Sequence, residues 1–163
     1  MKKLEKLTLG ELGKQESKLG RFESEQLKGG GIYAVYSRSS GTLSIYEDSG
    51  SCLGDYCAGN NVTSSSEGPW PNGTYGMMDQ NYPHCHNTGD TYDSSYGTYG
   101  IYRAQDFEDI DGDCREGMGL HSGRNDNYDY PTYGCIRTTD AAMSDIQDFI
   151  NNCGSFTSIT ITD

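Results

Sequence analysis

A chain of 163 residues has room for one domain of ordinary size. Only 33% of it is hydrophobic, against 22 Gly and 13 Tyr, which favours strands and loops over helices and leaves a modest core. The charge is split. Residues 1–30 hold seven Lys/Arg and five Glu, whereas the rest holds five Arg, no Lys and nineteen acids, a balance of −14. Such a surface repels nucleic acid and anionic membrane, so neither is expected as a partner. No apolar run is long enough for a membrane helix, so no membrane insertion is expected, and there is no hydrophobic signal-peptide region. All six cysteines follow residue 50, and an even count in an acidic, Gly-rich chain points to an oxidising compartment.

Residues 1–28 place Leu4, Leu7, Leu12 and Leu19 among Lys, Glu and Gln, as in a weakly amphipathic helix ended by Gly29-Gly30-Gly31. Residues 32–36 and 42–46 carry β-branched and aromatic residues around Ser39-Ser40-Gly41, which predicts a β-hairpin. Residues 50–67 read as a Gly/Asn/Ser-rich loop holding Cys52 and Cys57. Gly68-Pro69-Trp70-Pro71-Asn72-Gly73-Thr74-Tyr75 reads as a turn entering a strand: Pro fixes φ, Asn-Gly supplies positive φ, and Thr-Tyr favours extension. His84-Cys85-His86 is half of a metal site with no matching cluster, so no metal is expected. Residues 96–102 read as a strand. Asp109-Ile110-Asp111-Gly112-Asp113 is an acidic turn, since it lacks the spacing and distal Glu of a calcium loop. Residues 139–151 are the convincing helix, capped by Thr139 or Asp140, with Ala142, Met143, Ile146, Phe149 and Ile150 as its apolar stripe; Cys153-Gly154 ends it. Residues 156–162 alternate as a last strand.

The chemistry gathers in Gly117-Met118-Gly119-Leu120-His121-Ser122-Gly123-Arg124 and Thr132-Tyr133-Gly134-Cys135-Ile136-Arg137. A thiolate is the nucleophilic form of cysteine, and a nearby imidazole can generate it. Gly123 and Gly134 let backbone approach a substrate and offer unhindered N–H groups. His121 followed by Thr-Tyr-Gly-Cys-Ile-Arg resembles the signature of the L,D-transpeptidase (YkuD-type) family: a His, a gap in the mid-teens, then Ser/Thr-x-Gly-Cys, an apolar residue and Arg or Asn. Tyr133 stands where the family often has a second His. The turn at 68–75 resembles the family's Thr-Pro-x-Gly-x-Phe turn, and is closer to the Gly-Pro-x-Pro-x-Gly-x-Tyr form of its antibacterial-effector branch. Together the matches span roughly residues 32–162 with gaps.

The resemblance implies a mainly β fold, an antiparallel sandwich or barrel with one principal helix, and no cofactor. It implies a peptidoglycan stem peptide as substrate, Cys135 as nucleophile and His121 as base. Gly134 and the Cys135 amide are candidates for the oxyanion hole. Ser122, Gly123, Arg124, Thr132, Tyr133 and Arg137 are candidate substrate or site residues. A backbone carbonyl near Ser122 or Tyr133 would fix the imidazole tautomer. Residues 1–30 resemble a double-glycine leader of bacteriocin-type precursors, with Leu27, Glu23 and Leu19 at the positions such leaders use and Ser24 departing from them. That implies a peptidase-containing ABC exporter as partner, cleavage after Gly30 or one residue later, a catalytic domain over 31–163, and a secreted or periplasmic product. The cysteines leave two schemes open. One pairs Cys52 with Cys57 and Cys85 with Cys114, leaving Cys135 and Cys153 free. The other bridges Cys135 to Cys153, which would make the chain a non-catalytic binding module or a redox-latent enzyme.

Overall fold

The computed structural model describes residues 30–63, 66–84, 95–123 and 125–163. The amphipathic segment before Gly30, Cys85, His86 and Arg124 lie outside the described residues. The chain builds a five-stranded sheet first. Strands β1 (Ile32–Ser37) and β2 (Thr42–Glu47) form the hairpin that their alternation predicts. Ile32, Ala34 and Tyr36 face inward from β1, and Leu43 and Ile45 from β2. Period-2 burial of this kind fixes the register, since a one-residue slip would turn every apolar side chain to water. β3 (Cys52–Cys57), β4 (Gly73–Gly76) and β10 (Phe156–Thr162) complete the order β3-β2-β1-β10-β4. β10 runs parallel to β1, and a bulge near Thr157 lets Phe156 and Ile159 both point inward.

The helix α1 (Asp140–Cys153) carries the chain back to β10. The Thr139 side chain accepts from the Ala142 amide, and Gly154, at φ 110, caps the other end and donates to the Ile150 carbonyl. Ala142, Met143, Ile146 and Ile150 are its buried face. Met143, Ile146 and Ile150 share one core with the β1 and β10 side chains, Trp70, Met77, Tyr102, Leu120 and Ile136. The last two belong to a small second sheet, β5-β8-β9, made of β5 (Ile101–Arg103), β8 (Gly119–His121) and β9 (Ile136–Arg137). β6 (Phe107–Glu108) and β7 (Cys114–Arg115) pair separately. The acidic turn at 109–113 joins them, and the Asp109 carboxylate accepts from the Asp111 and Asp113 amides. Among the described residues no group of His, Cys, Asp and Glu could hold a metal. Nor is any described helix long and apolar enough to cross a membrane.

Two expectations are corrected. The strand expected over 96–102 is confined to its end: Gly97 and Gly100 take φ of 72 and 75, which breaks extension, and the segment turns until Ile101. The loop around Cys52 and Cys57 is strand β3, pairing Cys52 with Tyr46 and Cys57 with Thr42. Five residues of strand separate the two Cα atoms by roughly 15 Å, and a disulfide needs no more than about 7 Å, so the expected local bridge is not formed. Both thiols are free and exposed.

Candidate active site

Parallel pairing of β8 with β9 sets Leu120 beside Ile136 and His121 beside Arg137. Leu120 and Ile136 enter the core. Their neighbours one step along each strand therefore take the opposite face of the sheet. That puts His121 and Arg137 on one face, with Cys135 on the same face two residues before Arg137. One strand spacing across and two residues along is roughly 8 Å between the Cα atoms of Cys135 and His121.

His121 is 3% exposed. Its Nδ1 lies 2.7 Å from the Ser122 carbonyl oxygen. A carbonyl only accepts, so Nδ1 carries the proton in the neutral ring, and Nε2 is left as the basic nitrogen. The carbonyl that fixes the tautomer is thus that of Ser122, not Tyr133. Arg137 Nη1 donates to the same oxygen at 3.1 Å. Burial, with the Arg137 charge added, lowers the His121 pKa to about 4, against the opposing pull of the Ser122 carbonyl. The ring of Tyr96 stands edge-on to the imidazole, 5.3 Å between centroids. Gly97 permits this approach: a Cβ there would lie 2.5 Å from the Gly123 nitrogen. Gly123 itself is buried, at φ 90. The Ser122 hydroxyl donates to the Asp140 carboxylate at the start of α1.

The cysteine is held by its backbone. Buried Asn60 spans three partners: its Nδ2 donates to the Gly134 carbonyl at 2.7 Å and the Cys135 carbonyl at 3.0 Å, and its Oδ1 accepts from the Trp70 amide at 2.9 Å. Two carbonyls on one side and an amide on the other fix the orientation of the Asn60 amide. Thr132 Oγ1 donates to the Cys135 carbonyl at 2.8 Å and accepts from the Gly134 amide at 3.1 Å. The Gly134 N–H is therefore committed to Thr132, and the expectation that it joins an oxyanion hole is corrected. Gly134 serves through shape: its φ is 131, and a Cβ would lie 2.9 Å from Arg115 Nη2 and from the Met118 methyl. Tyr133 projects outward, 73% exposed.

The Cys135 sulfur points to the Gly117 carbonyl at 3.8 Å. Burial pushes its thiol pKa up; the Gly119 amide, the Arg137 charge, its own amide and the Arg115 charge pull the other way. Cys135 and Cys153 are both free, and Cys153 faces Glu47 at 3.2 Å, so the alternative bridge is not formed. Gly117 also lines a cavity of about 350 Å³ with Met78, Arg103, Asp106 and Glu116.

Arg115 ties the 68–75 turn to this region. It is 2% exposed, donates to the Glu67 and Gly68 carbonyls, and pairs with Glu67 and Asp109. Arg137 lies over the Tyr130 ring, 5.8 Å from its centroid. The sequence reading did not single out Asn60, Arg115, Tyr96 or Tyr130. Asn60 sat in a stretch whose composition reads as plain loop, and Arg115 was one of five arginines with no motif around it.

Among known proteins, no family model and no curated sequence matches this chain. Solved structures do. Bd1075 of Bdellovibrio bacteriovorus superposes with a TM-score of 0.60 at 16% identity, over 81% of this chain and 48% of that one. An L,D-transpeptidase from Mycobacterium tuberculosis gives 0.55 at 15% identity, over 83% and 59%. The LD transpeptidase LdtMt1 in complex with imipenem gives 0.51 at 19% identity, over 82% and 60%. The fold is that of the L,D-transpeptidases. The chain spans between about half and three fifths of the length of these three proteins. Within this fold the mainly β architecture with one principal helix agrees with the expectation from sequence.

Proposed function

We propose that this chain is an exported cysteine enzyme acting on peptidoglycan stem peptides, as an L,D-transpeptidase or L,D-carboxypeptidase. The observation that supports the reading is the pairing that sets His121 beside Arg137, two residues after Cys135, with His121 Nδ1 engaged by the Ser122 carbonyl so that Nε2 is the nitrogen available as base. The shifts of both groups favour neutral thiol and neutral imidazole at rest. The thiol proton then moves to His121 Nε2 as the sulfur attacks the carbonyl carbon of an L,D-peptide bond. The tetrahedral oxyanion is stabilised by amide donors such as that of Cys135. Collapse breaks the C–N bond, the imidazolium returns its proton to the leaving amine, and a terminal D-amino acid departs. A thioester on Cys135 remains. Water attacking it yields a carboxylate and regenerates the thiol; an amine yields a cross-link or an exchanged D-amino acid. Gly117, whose carbonyl meets the Cys135 sulfur, also lines the cavity with Arg103, Asp106 and Glu116, and this reading takes that cavity as the peptide's approach.

The finer reading is an antibacterial factor that alters a competitor's wall, delivered by an ABC exporter that removes residues 1–30. The effector-like turn at 68–75 and the double glycine support it. Mass spectrometry of the secreted form should find a first residue of Gly31 or Ile32; intact residues 1–30 would remove this route. Tetrapeptide stems incubated with the protein should lose a terminal D-amino acid. Cys135→Ser should reduce that rate by at least about 10³-fold, and His121→Ala to a similar level, because the two act as one unit. Imipenem, whose strained carbonyl suits a thiol nucleophile, should add its mass to Cys135. Unaltered turnover in Cys135→Ser would overturn the enzyme reading. Equal effects of wild type and Cys135→Ala on susceptible cells would overturn the catalytic toxin.

A further inference from the structure

We propose that Asp48 is the built acceptor for a new amino terminus at Gly31, so that removal of residues 1–30 creates an ion pair that locks β1 into the sheet. The inference rests on the leader reading above for its biological use, but on its own geometry for its chemistry. Gly31 is buried and clamped in both directions: its N–H donates to Asp48 Oδ2 at 2.6 Å, and its carbonyl accepts from the Asp48 amide at 3.0 Å. The next amide, Ile32, donates to the Ser155 carbonyl at 2.8 Å. Only glycine fits, since a Cβ on Gly31 would lie 2.5 Å from the Thr157 methyl and 2.8 Å from the Ser155 carbonyl oxygen.

The surroundings hold more acceptor capacity than one amide uses. A cavity of about 260 Å³ opens at this point, lined by Gly30, Glu47, Asp48, Ser49, Asn152 and Cys153. Glu47 is engaged by the Cys153 thiol and the Ser49 hydroxyl. Among the described residues no Lys or Arg pairs with Asp48 or Glu47. A peptide N–H offers one proton and no charge. The ammonium left by a cut between Gly30 and Gly31 offers three protons and a full positive charge to Asp48, in a cavity that Glu47 also lines.

The test uses the full chain with a site-specific protease sequence replacing residues 25–30, cut during expression by the co-expressed protease so that Gly31 becomes the first residue. Uncut chain is the control. Cutting should raise the melting temperature at pH 6.5 by about 3 °C for a chain of this size. Asp48→Asn should abolish the gain, and so should acetylation of the Gly31 amine on wild-type protein, which needs no variant to fold. The sign follows from the pairing: an amine whose folded pKa is raised above its ordinary value near 8 stabilises fully below that value and loses the contribution as pH rises through the folded pKa. At pH 10.5 the gain should vanish. Asp48 bonds this nitrogen, and Glu47 and Cys153 line the same cavity; all three are common to cut and uncut chains, so the difference between the two isolates the amine. An unchanged melting temperature on cutting, an equal gain in Asp48→Asn, or a cut chain that does not fold would each overturn the proposal. The first residue of the naturally exported protein tests the leader separately.

Discussion

The five-stranded sheet and the site sheet of this molecule are held by different physics. In the first, Ile32, Ala34, Leu43, Ile45, Ile159 and Ile161 alternate with half-buried partners and meet α1 across an apolar core. In the second, β5, β8 and β9 are two or three residues long, and pairing alone does little to hold them. Tyr102, Leu120 and Ile136 anchor it to the shared core, and what orders it beyond that is buried polar groups: Asn60, Arg115, Thr132 and Arg137, each reaching backbone carbonyls. An apolar core tolerates changes that keep volume, whereas a buried hydrogen-bond network fails when one member leaves its partners unpaired. The difference teaches that the site's stability and its geometry share the same residues.

The largest expected effect is at Asn60. Asn60→Ala leaves two carbonyls and the Trp70 amide without this partner, and should cost about 3–4 kcal/mol in denaturant unfolding. Asn60→Asp sharpens the comparison. It keeps an acceptor for the Trp70 amide but turns an oxygen toward the Gly134 and Cys135 carbonyls, so turnover should fall further than in a variant of equal stability elsewhere. A loss below about 1 kcal/mol in both variants would break the claim that polar bonds hold this region.

Next in size is the acid limb of stability from His121. Its folded pKa, lowered by burial and Arg137 to about 4, lies below the unfolded value near 6.5. The unfolded chain therefore takes up the proton first as pH falls. Stability is full above pH 6.5 and declines between there and about 4, by on the order of 3 kcal/mol from this group alone. Urea titrations at several pH values should show a shallower decline in His121→Gln. In the same sense the acid limb of kcat/KM should fall near pH 4–5, not near 6.5, and Arg137→Gln should raise the His121 pKa seen by NMR. A wild-type limb at 6.5 would mean that the ring is hydrated.

A somewhat smaller loss is expected for Gly134→Ala. The φ of 131 and the crowding by Arg115 and Met118 together should cost about 2–3 kcal/mol and move Cys135, measured as a lower melting temperature with lower turnover.

How far the sequence announced this follows the same divide. The hairpin of β1 and β2, α1 and β10 could be read from period and caps, because apolar side chains write their environment locally. β3 was missed because its Cys, Gly and Asp residues resemble a loop, and its pairing with β2 supplies what composition does not. The stretch from Tyr96 was read as a strand because Tyr and Thr favour one, but the glycines take positive φ. At the site, His121, Cys135 and Arg137 stood out by type and spacing. Asn60 and Arg115 did not, since their partners are backbone atoms far away in the chain, and no local pattern encodes those. The commitment of the Gly134 amide to Thr132 was invisible for the same reason.

The smallest expected effect is at Tyr133, inside the same segment as Cys135. Its side chain is 73% exposed and sits where the resembled family often carries a second histidine. Its flanking residues are both bound: Thr132 through its hydroxyl, and Gly134 through its amide and carbonyl. The backbone of this loop is therefore fixed by its neighbours and not by the phenol. Tyr133→Ala and Tyr133→His should each change stability by less than about 0.5 kcal/mol, as a surface substitution does. On the proposed function any effect should fall on KM for the stem peptide, because an exposed ring beside Cys135 can touch only what arrives from solvent. Unfolding curves and steady-state kinetics on the two variants separate the possibilities. A loss above about 1 kcal/mol would show that side chains outside the Asn60, Thr132 and Arg115 network also hold the cysteine loop, and the contrast between the two sheets would have to be redrawn.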